Sequence, residues 1–192
     1  MSRHNKLDTA DLATLLTRVQ VPADVVAGCT LVSQAVARLA ERGLLIEAAR
    51  LCAHALPARE GVWWAARCAA ATATADLQQA DREACALAEA WVRKPGDAMR
   101  RDAMARAQAA GCKTPEAWAA VAAFWSGDSM APADQPKVPP AAHLAGTAVA
   151  GAVILASVRP NAAKQAERLR RFLASAREIA EGGAGHIAKE AT

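Results

Sequence analysis

The residues best equipped for chemistry sit in one stretch, "ALPAREGVWWAARCA" at positions 55–69, which places Arg59, Glu60, Trp63, Trp64 and Arg67 within three helical turns. Arginine and tryptophan are the residue types most enriched at binding hot spots, and neither titrates near neutral pH, so this set suits recognition better than bond making. On a helix, residues 63 and 64 point about 100° apart, and the two indoles cannot share one narrow stripe. Either both belong to a core or hairpin seam, or one fills the core while the other offers an aromatic anchor to a partner. Arg59 and Arg67 each lie four residues from Trp63, within stacking reach of its face.

A second aromatic set, "AWAAVAAFWSG", carries Trp118, Phe124 and Trp125. Trp118 and Trp125 are seven apart and share a helix face. They read as core knobs filling space left by alanines, or as a cradle for the proline-rich segment that follows. General acid or base chemistry would fall to Glu60 or to His143, which lies beside Pro139 and Pro140. No nucleophile or carboxylate accompanies His143 in the sequence, and it reads more simply as the cap of the next helix. Cys52 and His54 are two apart and Cys68 follows, a spacing that does not converge four metal ligands, so no metal and no cofactor is expected. His54 reads as a polar residue at a helix end, its charge favouring the negative pole. Phosphate loops, nucleophile elbows and metalloprotease signatures do not occur.

The elements that must position these residues are helices. Hydrophobic residues make up 53% of the sequence but aromatic ones only 4%, and alanine supplies much of the difference, which favours closely packed helices over a sheet. Apolar periodicity predicts a first helix over "DTADLATLLTRV", capped by Asp8 or Thr9, then "TLVSQAVARLAERG" ending at Gly43 and "LLIEAARLCAHALP" ending at Pro57. The Trp63 helix starts directly after that proline, so the two are expected to form an antiparallel hairpin. Further helices follow to Pro95-Gly96, to Gly111 and to Gly127, the last with Thr114 as N-cap and Pro115 at its first position. The resulting expectation is an all-α fold of seven to eight helices packed as antiparallel hairpins, in a stack that resembles a solenoid.

Residues 126–142, "SGDSMAPADQPKVPPAA", contain four prolines and form a linker or, given Met130 and Val138, a strap packed over the domain. The apolar run 141–158 is short for a membrane span and is diluted by Gly146, Thr147 and Gly151, so it reads as a buried helix. The last helix shows a stripe of Ala162, Ala166, Leu169, Leu173, Ala176 and Ala180, with Lys164, Arg168, Arg171 and Arg177 on its other, solvated faces. The partition is residues 1–28 as N-terminal helix and connector, 29–127 as hairpin array, 128–142 as strap, 143–182 as a C-terminal pair on the same domain, and 183–192 as a frayed tail.

The net charge of +4 is modest and acids are mixed through most segments, which argues against nucleic acid as a partner. Five cysteines without a C-x-x-C pair suit reduced thiols in a cytoplasmic protein.

The segment from Ala55 to Ala65, together with "AWAAVAAFWSG", "VPPAAHLAGTAVAGAV" and "AERLRRFL", resembles an uncharacterised family of bacterial proteins known only as a domain of unknown function, over roughly residues 30 to 182. The resemblance implies an all-helical accessory protein of Gram-negative bacteria, with some members resembling those encoded beside type VI secretion components. It carries over no catalytic residue. The expected function is a non-enzymatic adaptor or chaperone that binds another protein, a secretion effector or apparatus subunit, through Arg59, Glu60, Trp63, Trp64 and Arg67 or through the proline-rich strap, with Trp118, Trp125 and His143 as further contact candidates. The alternatives are an enzyme with a helical pocket using His143 or Glu60, and a peripheral membrane protein using residues 141–158 or the basic last helix.

Overall fold

A computed structural model describes residues 5–190 of the chain. Among them, nine α-helices and three short 3-10 turns form the fold, with no strand. The first helix begins later than its periodicity suggests: Lys6–Thr9 is a 3-10 turn, and α1 (Leu12–Val19) is capped by the Asp11 carboxylate, which accepts from the Thr14 N–H. α2 (Val32–Glu41) and α3 (Leu45–Ala55) form a hairpin through Gly43, whose φ of +77° is a conformation that glycine adopts without Cβ strain. α4 (Ala58–Ala71), α5 (Gln79–Arg93), α6 (Asp97–Ala109) and α7 (Pro115–Trp125) follow, the last capped as expected by the Thr114 hydroxyl, which accepts from the Ala117 N–H. α8 (Leu144–Val158) and α9 (Gln165–Ala180) complete the set.

The packing departs from the hairpin stack in two places. α3 and α4 splay apart at Leu56-Pro57 instead of closing into a hairpin, and α8 crosses both of them while also lying against α7 and α9. Because α8 contacts helices far back in the chain, the array is a closed bundle; a solenoid, in which each unit touches only its neighbours, would not bring residues 144–158 onto residues 45–71. Small residues allow this crossing. A Cβ placed on Gly146 would come within 2.5 Å of the His54 ring, one on Gly151 would touch the Trp118 ring at 3.4 Å, and one on Gly61 of α4 would touch Val149 at 3.4 Å. The apolar run that approaches membrane-span length is therefore a buried, close-packed helix, with Ala148, Val149, Ala152, Val153 and Ala156 in the core. No single helix among the described residues is long and apolar enough to cross a membrane.

Two guanidinium groups, one partly buried and one fully buried, tie the ends of elements together. Arg159, just past α8, makes a bidentate pair with the buried Glu116 of α7 at 2.7 and 2.8 Å and donates to the carbonyls of Ala69 and Thr72 at the end of α4. Arg168 of α9 is only 1% exposed and pairs with both carboxylate oxygens of Glu190 at 2.7 Å, while donating to the carbonyls of Ser157 and Asn161. Such pairs need further acceptors for their remaining donors, and the carbonyls leave no nitrogen of either group without a partner.

Arg168 corrects the reading of the last helix as a solvated basic face, and Glu190 corrects the frayed tail. The tail, as far as residue 190, is docked: Ile187 is buried, Ser175 donates to the Gly185 carbonyl, and the Glu190 N–H donates to the Ala71 carbonyl. Thr192 and Ala191 lie outside the described residues, as do Met1 to His4 of the N-terminal segment. The proline-rich segment is a surface loop with Pro132 to Pro139 exposed, including Val138 at 50%. It is closed by a Met130 N–H to Val138 carbonyl bond and fixed to α6 by Arg101, which donates to the Ala131 carbonyl.

Candidate functional site

The α4 register divides the tryptophans as a 100° offset requires. Trp64 is completely buried, and its indole N–H donates to the Phe172 carbonyl of α9 at 2.8 Å. Trp63 is half-buried at the edge of the core, where its indole N–H donates to the Ala184 carbonyl of the tail at 2.8 Å. Of the two arginines within stacking reach, only Arg67 lies over the Trp63 ring, 5.4 Å from its centroid. Arg59 turns away and donates twice to the Val92 carbonyl in the last turn of α5, at 3.0 and 2.7 Å, satisfying a helix-end acceptor. Glu60 is engaged by Lys6.

These groups line a cleft of about 350 Å³, walled by Arg59, Glu60 and Trp63 of α4, Arg93 of α5, Lys6, and Gly182-Gly183 at the start of the tail. Three cations face one carboxylate that is already paired, and one wall is the indole. Chemically the cleft can hold an acidic group beside an apolar one. Arg93 reinforces this balance, because Glu89 holds it at 3.0 Å and also approaches Arg67 at 3.9 Å, ordering the cationic rim without filling the cleft.

The remaining candidates lie elsewhere. Trp118 and Trp125 do share a face and meet edge to face, with centroids 6.3 Å apart. Their surroundings are architectural: Trp118 rests on Gly151 of α8, and Phe124 is buried under the Arg100 guanidinium. His143 is exposed at the N-cap position of α8, but its side chain makes no capping hydrogen bond. It opens into a different cavity from Glu60, one that it shares with Arg18, Arg50 and His54, so the two residues on which an enzymatic pocket was expected to rest do not converge.

His54 behaves in the opposite way to its reading as a charged helix terminus. Burial, followed by the charges of Arg18, His143 and Arg50, brings its imidazole down to about 4, so it is neutral at physiological pH. The cysteines are free; burial pushes the Cys52 and Cys85 thiols up to about 12 and raises Cys68 as well, which makes all three poor nucleophiles. Among the described residues no three His, Cys, Asp or Glu side chains converge on a point.

Sequence reasoning missed Lys6, Arg93 and the Gly182-Gly183 backbone as parts of the cleft, because all three approach α4 through tertiary packing over long sequence separations. The one available signal was the glycine pair itself: Gly182 takes a positive φ, and Gly183 lets the chain turn back closely over Glu178 of α9.

No curated protein and no solved structure matches the chain. Its family relationship rests on the segment that carries the double tryptophan, the α7 aromatics and the glycine-bearing α8: residues 35–180 match the family of unknown function DUF6931, and the chain belongs to that family.

Proposed function

We propose that the protein is a non-enzymatic adaptor or chaperone that captures another protein through the cleft beside Trp63. The observation that carries this reading is the pairing of a half-buried indole with the Lys6, Arg59 and Arg93 cations around one 350 Å³ cleft. Aromatic and arginine anchors in partly desolvated pockets supply most of the affinity at protein interfaces, and the excess of positive charge selects a partner segment bearing an acidic residue next to an apolar one. The family resemblance directs this reading toward a secretion effector or apparatus subunit.

The test is affinity purification of the tagged full chain from its native cells, beside Trp63→Ala and Arg93→Glu variants whose thermal unfolding remains cooperative. Trp64 is unsuitable as a probe because it is core. One dominant protein that co-purifies with the parent and is lost from both variants supports the proposal. A partner retained by both variants, or none captured by the parent, overturns it.

A further inference from the structure

A second cavity, of about 310 Å³, collects basic side chains from three helices. Arg18 comes from the last turn of α1, Arg50 and His54 from successive turns of α3, and His143 from the start of α8. No carboxylate lines it, and its floor is apolar, formed by Val19, Ala150 and Ile154. Arg18 and Arg50 have no hydrogen-bond or ion-pair acceptor among the described residues, in contrast to Arg159 and Arg168, whose guanidinium nitrogens each have one.

The arrangement is built into the packing. Gly146 lacks the Cβ that would lie 2.5 Å from His54 Nδ1 and 3.0 Å from its Cα, so the first turn of α8 can press directly on the imidazole and bring His143 over the same space. The result is two guanidinium groups and two imidazoles around one space with no carboxylate in its lining, an arrangement that an anion can complete.

We propose that this cavity binds the dianionic phosphate group of a small phosphomonoester. Two guanidinium groups offer the forked donors that match phosphate oxygens. His143 offers a further ring N–H donor, and the neutral His54 imidazole can add a proton as the anion enters. That uptake matches the second negative charge of a monoester, which a diester lacks. The volume stands near the lower end of small-molecule pockets, and the apolar floor leaves room for a short organic substituent. Every charged group facing His54 from the surrounding elements, Arg18 of α1, Arg50 of α3 and His143 of α8, is basic.

The experiment is an NMR titration of the His54 and His143 ring protons in the full chain with inorganic phosphate and with glycerol 3-phosphate, against sodium chloride and acetate at matched ionic strength. Saturable movement of both rings, with net proton uptake by calorimetry, is the expected result. Affinity should fall about tenfold in Arg18→Gln and in Arg50→Gln, the loss of one charge-assisted contact each. Both arginines are exposed and, among the described residues, unpartnered, so these variants should fold as the parent does. Equal movement in chloride, or undiminished phosphate binding by both variants, would overturn the proposal. So would binding confined to vesicles containing phosphatidic acid with none to glycerol 3-phosphate, since the phosphomonoester would then be read as part of a lipid surface.

Discussion

The cleft beside Trp63 and the cavity around His54 are both ringed by basic residues, but they manage that charge differently. In the cleft, Lys6 is paired with Glu60, Arg93 with Glu89, and Arg59 with a helix-end carbonyl, so its cations are already anchored and present an ordered, partly neutralised rim. In the cavity, Arg18 and Arg50 stand without acceptors among the described residues, around an imidazole that stays neutral to about pH 4. Ordered charge beside an aromatic wall favours a broad protein contact; uncompensated charge over a small apolar floor favours a compact anion. What a basic pocket can bind depends less on how many basic residues line it than on the acceptors they have already found.

The two regions should be separable by substitution. The largest effect is expected for Glu190→Ala, which leaves Arg168 buried without its carboxylate. Breaking such a pair should cost about 3 kcal/mol in urea unfolding and release the tail from Trp63, disturbing the cleft while leaving the His54 resonances in place. Gly146→Ala should do the reverse. The new Cβ must displace the His54 ring and backbone, at about 2 kcal/mol, and should shift the His54 and His143 ring signals while the indole N–H signal of Trp63 stays fixed. If either variant disturbs both regions equally, they are one coupled unit and the division fails.

The smallest effect concerns pH. Because His54 takes up its proton near pH 4 when folded and near 6.5 when unfolded, the unfolded chain binds more protons between these values. Stability should therefore fall as pH drops from 6.5 toward 5.5, above the value of 4.5 at which Glu190 takes up its proton in the unfolded chain. Chemical denaturation at stepped pH checks this, and His54→Gln should flatten that limb. A slope unchanged by the substitution would show that another group carries it.

Helix existence was legible throughout. Gly43, Pro57, Pro95-Gly96 and Thr114-Pro115 mark boundaries because each acts through local backbone chemistry that needs no tertiary partner. The division of labour between Trp63 and Trp64 was legible as one of two readings, from the 100° step alone. What local reasoning could not deliver was anything that depends on which helices meet. The splay of α3 from α4 depends on α8 filling the space between them, and Arg168 looked solvent-facing because its acceptors, Ser157, Asn161 and Glu190, lie on three separate segments. The tail was misread for the same reason: Gly182, Gly183 and Gly185 do end the helix, but the chain then turns back onto α4 and α9. His54 was misjudged because its helix-end position was visible and its three basic neighbours, two of them distant in sequence, were not.

The hydrogen bond from Trp63 to Ala184 makes the C-terminal segment a participant in whatever happens at the cleft. Gly182 and Gly183 form part of its wall, so filling the cleft and docking the tail are two equilibria that share one linkage free energy. A ligand that needs the wall in place holds the chain end down, and by reciprocity anything that pulls the chain end away weakens the ligand by the same factor. Protease susceptibility between residues 183 and 190 thus becomes a readout of occupancy some distance away, requiring neither a label on the cleft nor knowledge of what fills it.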